Sequence, residues 1–453
     1  MTRLLRLMMA GFLLFFAAAR PAMAQSILRD SETELLFKQI SDPLIDAAGL
    51  DRKSVRVVLI NDSEINAFVS QGQVVYIHSG LLMASDNVNQ LQGVIAHELG
   101  HVAGGHAIRI YEGANKATAI TILSLVLGAA AMAVGAGDAG MGIMAAGQQA
   151  AMGSFLAFTR AQEASSDQAG AQYLSKAGVS GRGSIEFFKK LQNQEYRLAI
   201  YAKDSYNRTH PLSTERIAAL TEIYQKDPAW NRKPDPALEE RFQRVKAKLI
   251  GYVTPKEAVK IYPETNQSIP AHYARAYAYH LGAYPDKANA EADALLATDP
   301  EDPFFLELKG QILLEGGRPT EAVAPLRKAV ANAPNMPMIA VMLGHALIAS
   351  EDAKNFAEAK QVLKNAVNRD NDNPFAWYQL GIVYDREGDQ PRAALATAER
   401  NNLEGNNKLA LASARMAMAG LPQGTPDYIR AQDIAMVSED ALKKDKGRRE
   451  RQQ

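Results

Sequence analysis

The chain has 453 residues, 47% hydrophobic and 22% charged, ordinary proportions that exclude a disordered tail protein and a polytopic membrane protein. Lys and Arg total 50, as do Asp and Glu, so the basic surplus that draws a protein to nucleic acid is missing and no nucleic-acid partner is expected. Cysteine is absent, which excludes disulfide scaffolds, thiol nucleophiles and thiolate metal sites; any metal must sit on histidine and carboxylate.

Arg3 and Arg6, the apolar run Leu7 to Ala19 and the small-x-small Ala22-Met23-Ala24 form the pattern of a signal peptide over 1–24, cut after Ala24. The run falls short of the ~20 residues that span a bilayer, so removal is expected rather than anchoring. Cleavage takes the charge balance from 50 minus 50 to 47 minus 50, a mildly acidic protein suited to a bacterial periplasm.

Apolar residues at Leu35, Leu36, Ile40, Leu44 and Ile45 predict a leading helix over Asp30 to Ala47, with Ser31 and Glu34 as a capping box. Val55 to Ile60, Ala67 to Val69 and Val74 to His78 read as short strands separated by Asn61-Asp62 and Gln71-Gly72. The next helix, capped by Asp86, carries His97-Glu98-Leu99-Gly100-His101, the pattern H-E-x-x-H. Four residues apart on a helix, His97 and His101 project from one face and reach a single zinc ion, while Glu98 beside them is placed to take a proton from bound water.

Residues 117–137 and 139–159 are uncharged and separated only by Asp138. Their Gly, Ala, Gln148 and Gln149 favour a helical hairpin packed near the active site or touching a membrane surface over true spans. A catalytic zinc needs a third protein ligand, which here is His78, His106, His210 or a carboxylate. Glu163 and Asp167 share a helical face and are the best carboxylates, one as ligand and one orienting an imidazole; a solvated face beside Arg160 accounts for the pair equally well. His78 is expected to be structural or to line a substrate groove, and His106 to hydrogen-bond locally.

Asp227 to Pro236 holds three prolines and marks a connection, followed by a charged helix, Leu238 to Ile250, and a linker over 251–269. From 270 to 442 the small residues Ala276, Gly310, Gly344 and Gly381 recur at intervals of 34, 34 and 37, with three extra residues near Asp352 to Asn355. Ala288, Ala322, Ala359 and Ala393 repeat in step, and Trp377, Leu380, Gly381 and Tyr384 fit the full tetratricopeptide signature. Such repeats stack into a binding surface, so recruitment is their expected role. Residues 443–453, with six basic and two acidic side chains, read as a disordered basic tail.

The order of Asn66-Ala67-Phe68, Val74 to Leu82, the H-E-x-x-H helix, Glu163 with Asp167, and Thr209-His210-Pro211-Leu212 with Arg216 resembles the gluzincin group that includes HtpX and the CAAX prenyl proteases. Within it the chain is similar to the exported branch that carries tetratricopeptide repeats, the β-barrel assembly-enhancing proteases. The resemblance implies a mainly α fold with a small β-sheet, a metalloprotease domain over 25–250 and an α-solenoid behind it. It implies that His97, His101 and Glu163 bind one Zn2+, that Glu98 is the base, that Asp167 stands behind a ligand and that His210 is a masking fourth ligand. Val74, Val75, Tyr76, Ile77 and His78 become the edge strand on which an extended substrate pairs, with Asn66 and Arg216 in substrate contact or support. Implied partners are unfolded or stalled outer-membrane β-barrel proteins and, through the repeats, the β-barrel assembly machinery. The rival reading is a repeat-based periplasmic chaperone or assembly adaptor whose protease site is largely latent.

Overall fold

A computed structural model describes residues 27–70, 73–134, 136–198, 210 and 214–450. The signal segment, the Gln71-Gly72 turn and the neighbours of His210 that completed its motif, Thr209, Pro211 and Leu212, lie outside the described residues. The chain divides into two compact units: residues up to Arg29 with Phe37–Glu239, and Asp30–Leu36 with the residues from Glu240 onward.

The first unit holds a four-stranded sheet of β1 (Ile27–Leu28), β2 (Arg56–Ile60), β3 (Ala67–Ser70) and β4 (Val74–His78), in the order β1-β2-β4-β3. β4 runs parallel to β2, with Val58 opposite Tyr76, and antiparallel to β3, with Phe68 opposite Tyr76. β4 is therefore central, and the expectation that Val74 to His78 form the edge strand is wrong: neighbours on both sides use its backbone groups. The near-continuous apolar run of Val74, Val75 and Ile77, all buried, belongs to a strand covered on both faces. The edge beside β4 is β3.

Helix α1 (Ser31–Ala48) starts in the second unit and continues in the first, burying Phe37, Ile40, Leu44 and Ile45. Its cap is Asp30 rather than the Ser31-Glu34 box: Asp30 Oδ2 accepts from Thr33 N at 2.9 Å and from Thr33 Oγ1 at 2.6 Å. After α2 (Ser79–Ala84) comes α3 (Val88–Ala103), buried from Val88 to Val102 as befits a helix enclosed on every side. Asn87, one residue past the expected Asp86, caps it, accepting from Gln90 N at 3.0 Å. Glu239 Oε2 accepts from Val88 N at 2.9 Å and sets negative charge at the positive helix end.

Helices α4 (His106–Ala133) and α5 (Gly137–Ala177) form an antiparallel hairpin held together by small residues. A Cβ on Gly140 would lie 2.5 Å from Gly128 O, and one on Gly147 would collide with Ser124, so these contacts require glycine. Away from the roots the hairpin is exposed and apolar, with Ile122, Leu123, Leu125, Val126 and Leu127 all facing out. It packs on itself rather than against the site along most of its length, and α4 is the one described helix long and apolar enough to cross a bilayer. Helices α6 (Arg182–Leu198) and α7 (Thr214–Gln225) complete this unit.

From Glu240, within α8 (Pro236–Val253), the chain belongs to the second unit, and α9 (Pro255–Ile261) fills part of the stretch expected as linker. Five helix pairs follow: α10 (Ile269–Leu281) with α11 (Pro285–Thr298), α12 (Pro303–Glu315) with α13 (Pro319–Asn332), α14 (Pro337–Ala349) with α15 (Phe356–Arg369), α16 (Pro374–Arg386) with α17 (Gln390–Leu403), and α18 (Asn407–Gly420) with α19 (Pro426–Glu450). Proline opens most of them because the first helical turn has no use for its missing N–H. A Cβ on Gly310 would lie 2.3 Å from Leu326, and one on Gly344 2.6 Å from Leu363, so the repeating glycines mark where paired helices touch. The three extra residues form a 3-10 turn, Ala353–Asn355, capped by Asp352. The basic tail was expected to be disordered; instead α19 carries it to Glu450.

Candidate metal centre

The close approach of α3 to α5 builds the site. A Cβ on Gly100 would sit 2.7 Å from Ser166 O, and one on Gly170 would press on the backbone of Ala96, so two glycines let the helices meet. Glu163 and Asp167 on α5 are thereby brought beside His97 and His101 on α3, all four side chains being buried. His210 joins them.

Five short distances describe the cluster. His97 Nε2 lies 3.1 Å from His101 Nε2 and 3.4 Å from His210 Nδ1. Glu163 Oε1 lies 3.3 Å from His101 Nε2 and 3.1 Å from His210 Nδ1, and its Oε2 lies 3.4 Å from His97 Nε2. Donor atoms placed ~2.0–2.1 Å from a tetrahedral ion stand about 3.3–3.4 Å apart; these five distances are close to that, and one ligand atom from each of the four residues lies within 4.8 Å of the others. The far sides of the rings are engaged: His97 Nδ1 stands 2.9 Å from Asp167 Oδ1, His101 Nδ1 3.0 Å from His106 Nδ1, and His210 Nε2 3.2 Å from Ala67 O. The ring nitrogens that face each other therefore present lone pairs to a common point, an arrangement that a cation at that point relieves. The donors fit a metal.

Arg216 ties the carboxylates together. Its Nε donates to Asp167 Oδ2 at 2.7 Å and a second guanidinium nitrogen to Asp167 Oδ1 at 2.8 Å, while Nη1 lies 3.1 Å from Glu163 Oε2. Burial on its own would raise the Glu163 pKa, but the three imidazoles outweigh it and hold the carboxyl well below the usual range. Asp167 is also lowered, its burial overcome by His97 and Arg216. Burial opposes the charged form of His97, yet Asp167 and Glu163 push its pKa up to about 10. A positive charge is favoured at this point in the cluster.

Glu98 is fully buried on α3, its Oε1 3.5 Å from His210 Nε2, and neither carboxylate oxygen has a hydrogen-bond partner among the described residues. A buried carboxylate with no hydrogen bond, its one ion-pair contact being to a residue of the cluster, is arranged for chemistry rather than for packing. His78 stands apart, buried 3.5 Å from Asp62 Oδ1 with its ring edge-on to Phe68, and burial pulls its pKa down. Asn66 supports the sheet: its carbonyl accepts from His78 N at 3.0 Å. Sequence reading expected His106 to hydrogen-bond locally, as it does, but missed that it folds back onto His101; it passed over the Ala67 carbonyl. For His106 the available signal was Gly104-Gly105, a helix break lying between it and His101.

An H-E-x-x-H helix, a carboxylate from a second helix and the small mixed sheet beside them define a gluzincin-type metalloendopeptidase domain followed by tetratricopeptide repeats. Residues 31–224 match the model of peptidase family M48, and residues 273–337 match that of the tetratricopeptide repeat. The chain is 26% identical over 402 residues to the β-barrel assembly-enhancing protease of Yersinia pestis, covering 86% of this chain and 80% of that one. It is 27% identical over 401 residues to the protein of that name from Escherichia coli K12, covering 85% and 79%. Metalloprotease LoiP of Escherichia coli K12 is 31% identical over 170 residues, 36% of this chain and 60% of its own.

Proposed function

We propose that this chain is an exported, periplasmic zinc endopeptidase that cleaves misfolded or stalled outer-membrane β-barrel proteins and is recruited by its repeats to the machinery that assembles them. The observation that carries the reading is the convergence of His97, His101, Glu163 and His210 on one buried point beside the unpartnered carboxylate of Glu98. Nitrogen and carboxylate donors without a thiolate, at tetrahedral spacing, suit zinc. The signal pattern supports export, and the names of the relatives support substrate and partner. His97, His101 and Glu163 would hold the ion, which would supply Lewis-acid activation of a water and of the scissile carbonyl. Glu98, buried beside that point, is placed to accept a proton and pass it to the leaving amine. Asp167 and Arg216 keep His97 and Glu163 in place while this happens.

Substrate binding follows from the corrected edge. Asn66 O points to β4, so the next carbonyl along β3, Ala67 O, points to the free side, where an extended peptide adds by main-chain pairing. His210 Nε2 occupies that carbonyl while its Nδ1 fills the fourth donor position. A peptide strand that takes Ala67 O competes with His210, so binding at the edge and opening of the site share one atom. The uncharged hairpin surface around Leu123 and Val126 contacts a membrane surface.

One observation favours the second reading, a repeat-based chaperone or adaptor with a latent protease site. Four protein donors complete a tetrahedron and leave no position for water, as in structural zinc sites. The experiment that tests the proposal is hydrolysis of a loosely folded protein such as casein by wild type and Glu98→Gln, with zinc measured in both. Full activity in the variant overturns the assignment of the base. A wild type that carries zinc and cleaves only after His210→Ala supports latency.

A further inference from the structure

We propose that His106 is the positioning residue for His101, fixing the tautomer and ring plane with which that imidazole faces the metal. The inference rests on the metal reading above and concerns the one ring of the cluster that has no carboxylate or backbone carbonyl behind it. His97 has Asp167 at 2.9 Å and His210 has Ala67 O at 3.2 Å; His101 has another imidazole, His106 Nδ1, at 3.0 Å from its own Nδ1.

One self-consistent assignment of the hydrogens along this contact, the one we adopt, leaves His101 facing the cluster with a lone pair. Gln162 O can only accept, so the Ser165 hydroxyl, 2.9 Å away, donates to it. Ser165 Oγ is then free to receive N–H from His106 Nε2 at 3.3 Å. A neutral ring with its proton on Nε2 carries a lone pair on Nδ1, and that lone pair accepts from His101 Nδ1. His101 is left with its Nε2 lone pair directed at the cluster. Ser166 Oγ, 3.1 Å from His106 Nδ1, is the other neighbour of that atom.

The backbone is shaped to bring this ring back. On an uninterrupted helix a residue five positions on is rotated about 140° from His101 and cannot meet it. Here α3 ends at Ala103, Gly105 takes the left-handed conformation with φ +61°, and α4 starts at His106. A Cβ on Gly104 would lie 2.3 Å from His106 Nε2, so the turn admits the ring only because that position has no side chain. His106 is buried, and Ser165 and Ser166 reach it from α5, so the positioning group is clasped between the two roots of the hairpin.

The test is zinc affinity by chelator competition in the full mature protein, with the melting temperature of the metal-free form measured alongside. His106→Leu fills the ring's space and removes the acceptor; it should raise the zinc dissociation constant about 10- to 100-fold, the usual loss when a group behind a ligand is removed. His106→Asn places Oδ1 where Nδ1 stood and should stay within about threefold of wild type, whereas His106→Gln, whose oxygen sits one bond further out, should weaken at least about tenfold. A Leu variant within about twofold of wild type overturns the inference, as does an Asn variant as weak as Gln. Should the Leu variant not fold, the split between Asn and Gln decides, because a purely space-filling role gives no reason for it. A wild type that binds no zinc overturns the metal reading and this inference with it; a wild type that binds, with a Leu variant that binds equally well, overturns the inference alone.

Discussion

Among the described residues, two of the clusters of charged side chains withdrawn from solvent are built on opposite plans. In the second unit, Asp30, Glu32 and Glu307 lie with Arg244 and Lys248. Arg244 bridges Glu32 at 2.8 Å and Asp302 at 2.9 Å, Lys248 pairs with Asp30, and Tyr273 and Ser31 donate to Glu32 and Glu307 at 2.8 and 3.1 Å. Every acid there faces a cation or donor that the chain itself supplies. In the first unit, His97, His101, Glu163 and His210 turn their ligating atoms on one another. Asp167 and Arg216 stand behind them rather than among them. Burial of charge does not by itself mark a functional site; the distinguishing feature is whether the counter-ion is left for something outside the chain to provide.

Substitutions that treat the clusters alike should have unlike effects. Glu98→Gln should lower proteolysis by about 10²- to 10⁴-fold with zinc content unchanged, since an amide cannot accept the proton; assay of casein or peptide cleavage checks it. Lys248→Met leaves the half-buried Asp30 without its ammonium and buried Glu32 with Arg244 alone, and should cost about 1–3 kcal/mol, read as a lowered urea midpoint. If it instead lowers zinc content in a protein that remains folded, the clusters are not the separate devices described.

The hairpin sharpens the same contrast. Leu123→Glu with Val126→Glu should weaken co-sedimentation with phospholipid vesicles about tenfold or more while leaving short-peptide hydrolysis intact. Unchanged sedimentation would remove the membrane-surface proposal.

The smallest effect concerns Glu307. Burial, against which Lys248 works, pushes its pKa up to about 8 from an ordinary 4.5. The native state therefore keeps a proton that the unfolded chain releases, so this contribution to stability is whole below about pH 4.5 and is lost as pH rises toward 8. Glu307→Gln should flatten that decline, shifting the change in melting temperature between pH 5 and 8.5 by about 2–4 °C per kcal/mol recovered. An unaltered pH profile would show that Glu307 is ionised throughout.

Local rules made much of this legible. H-E-x-x-H needs only helical periodicity to bring His97 and His101 together, and the 34-residue period needs only that paired helices touch at small residues, as Gly310 and Gly344 do. Glu163 and Asp167 were candidates from their shared helical face, but their approach to His97 and His101, and the role of His210, were legible only through family resemblance, since distance in sequence to α3 carries no geometric information. The edge strand was misread because one chain does not reveal strand order: β3 and β4 are adjacent in sequence, and only the parallel pairing of β2 with β4 makes the former the edge. The Asp30 cap was missed because an Asp and a Ser stand side by side and either begins a helix. His106 was expected to bond locally, but its contact with His101 was not legible, because it depends on the left-handed turn at Gly105. Of these, only the edge strand is a case of tertiary arrangement overriding a local pattern.

The central claim is that the first cluster is completed by an ion. It is tested most directly by counting zinc in the purified mature protein, by mass spectrometry of the metal, for wild type, Glu98→Gln and the double variant His97→Ala with Glu163→Ala. The account predicts about one zinc per chain in the first two and little in the third. A wild type without stoichiometric zinc, or a double variant that keeps it, would contradict it.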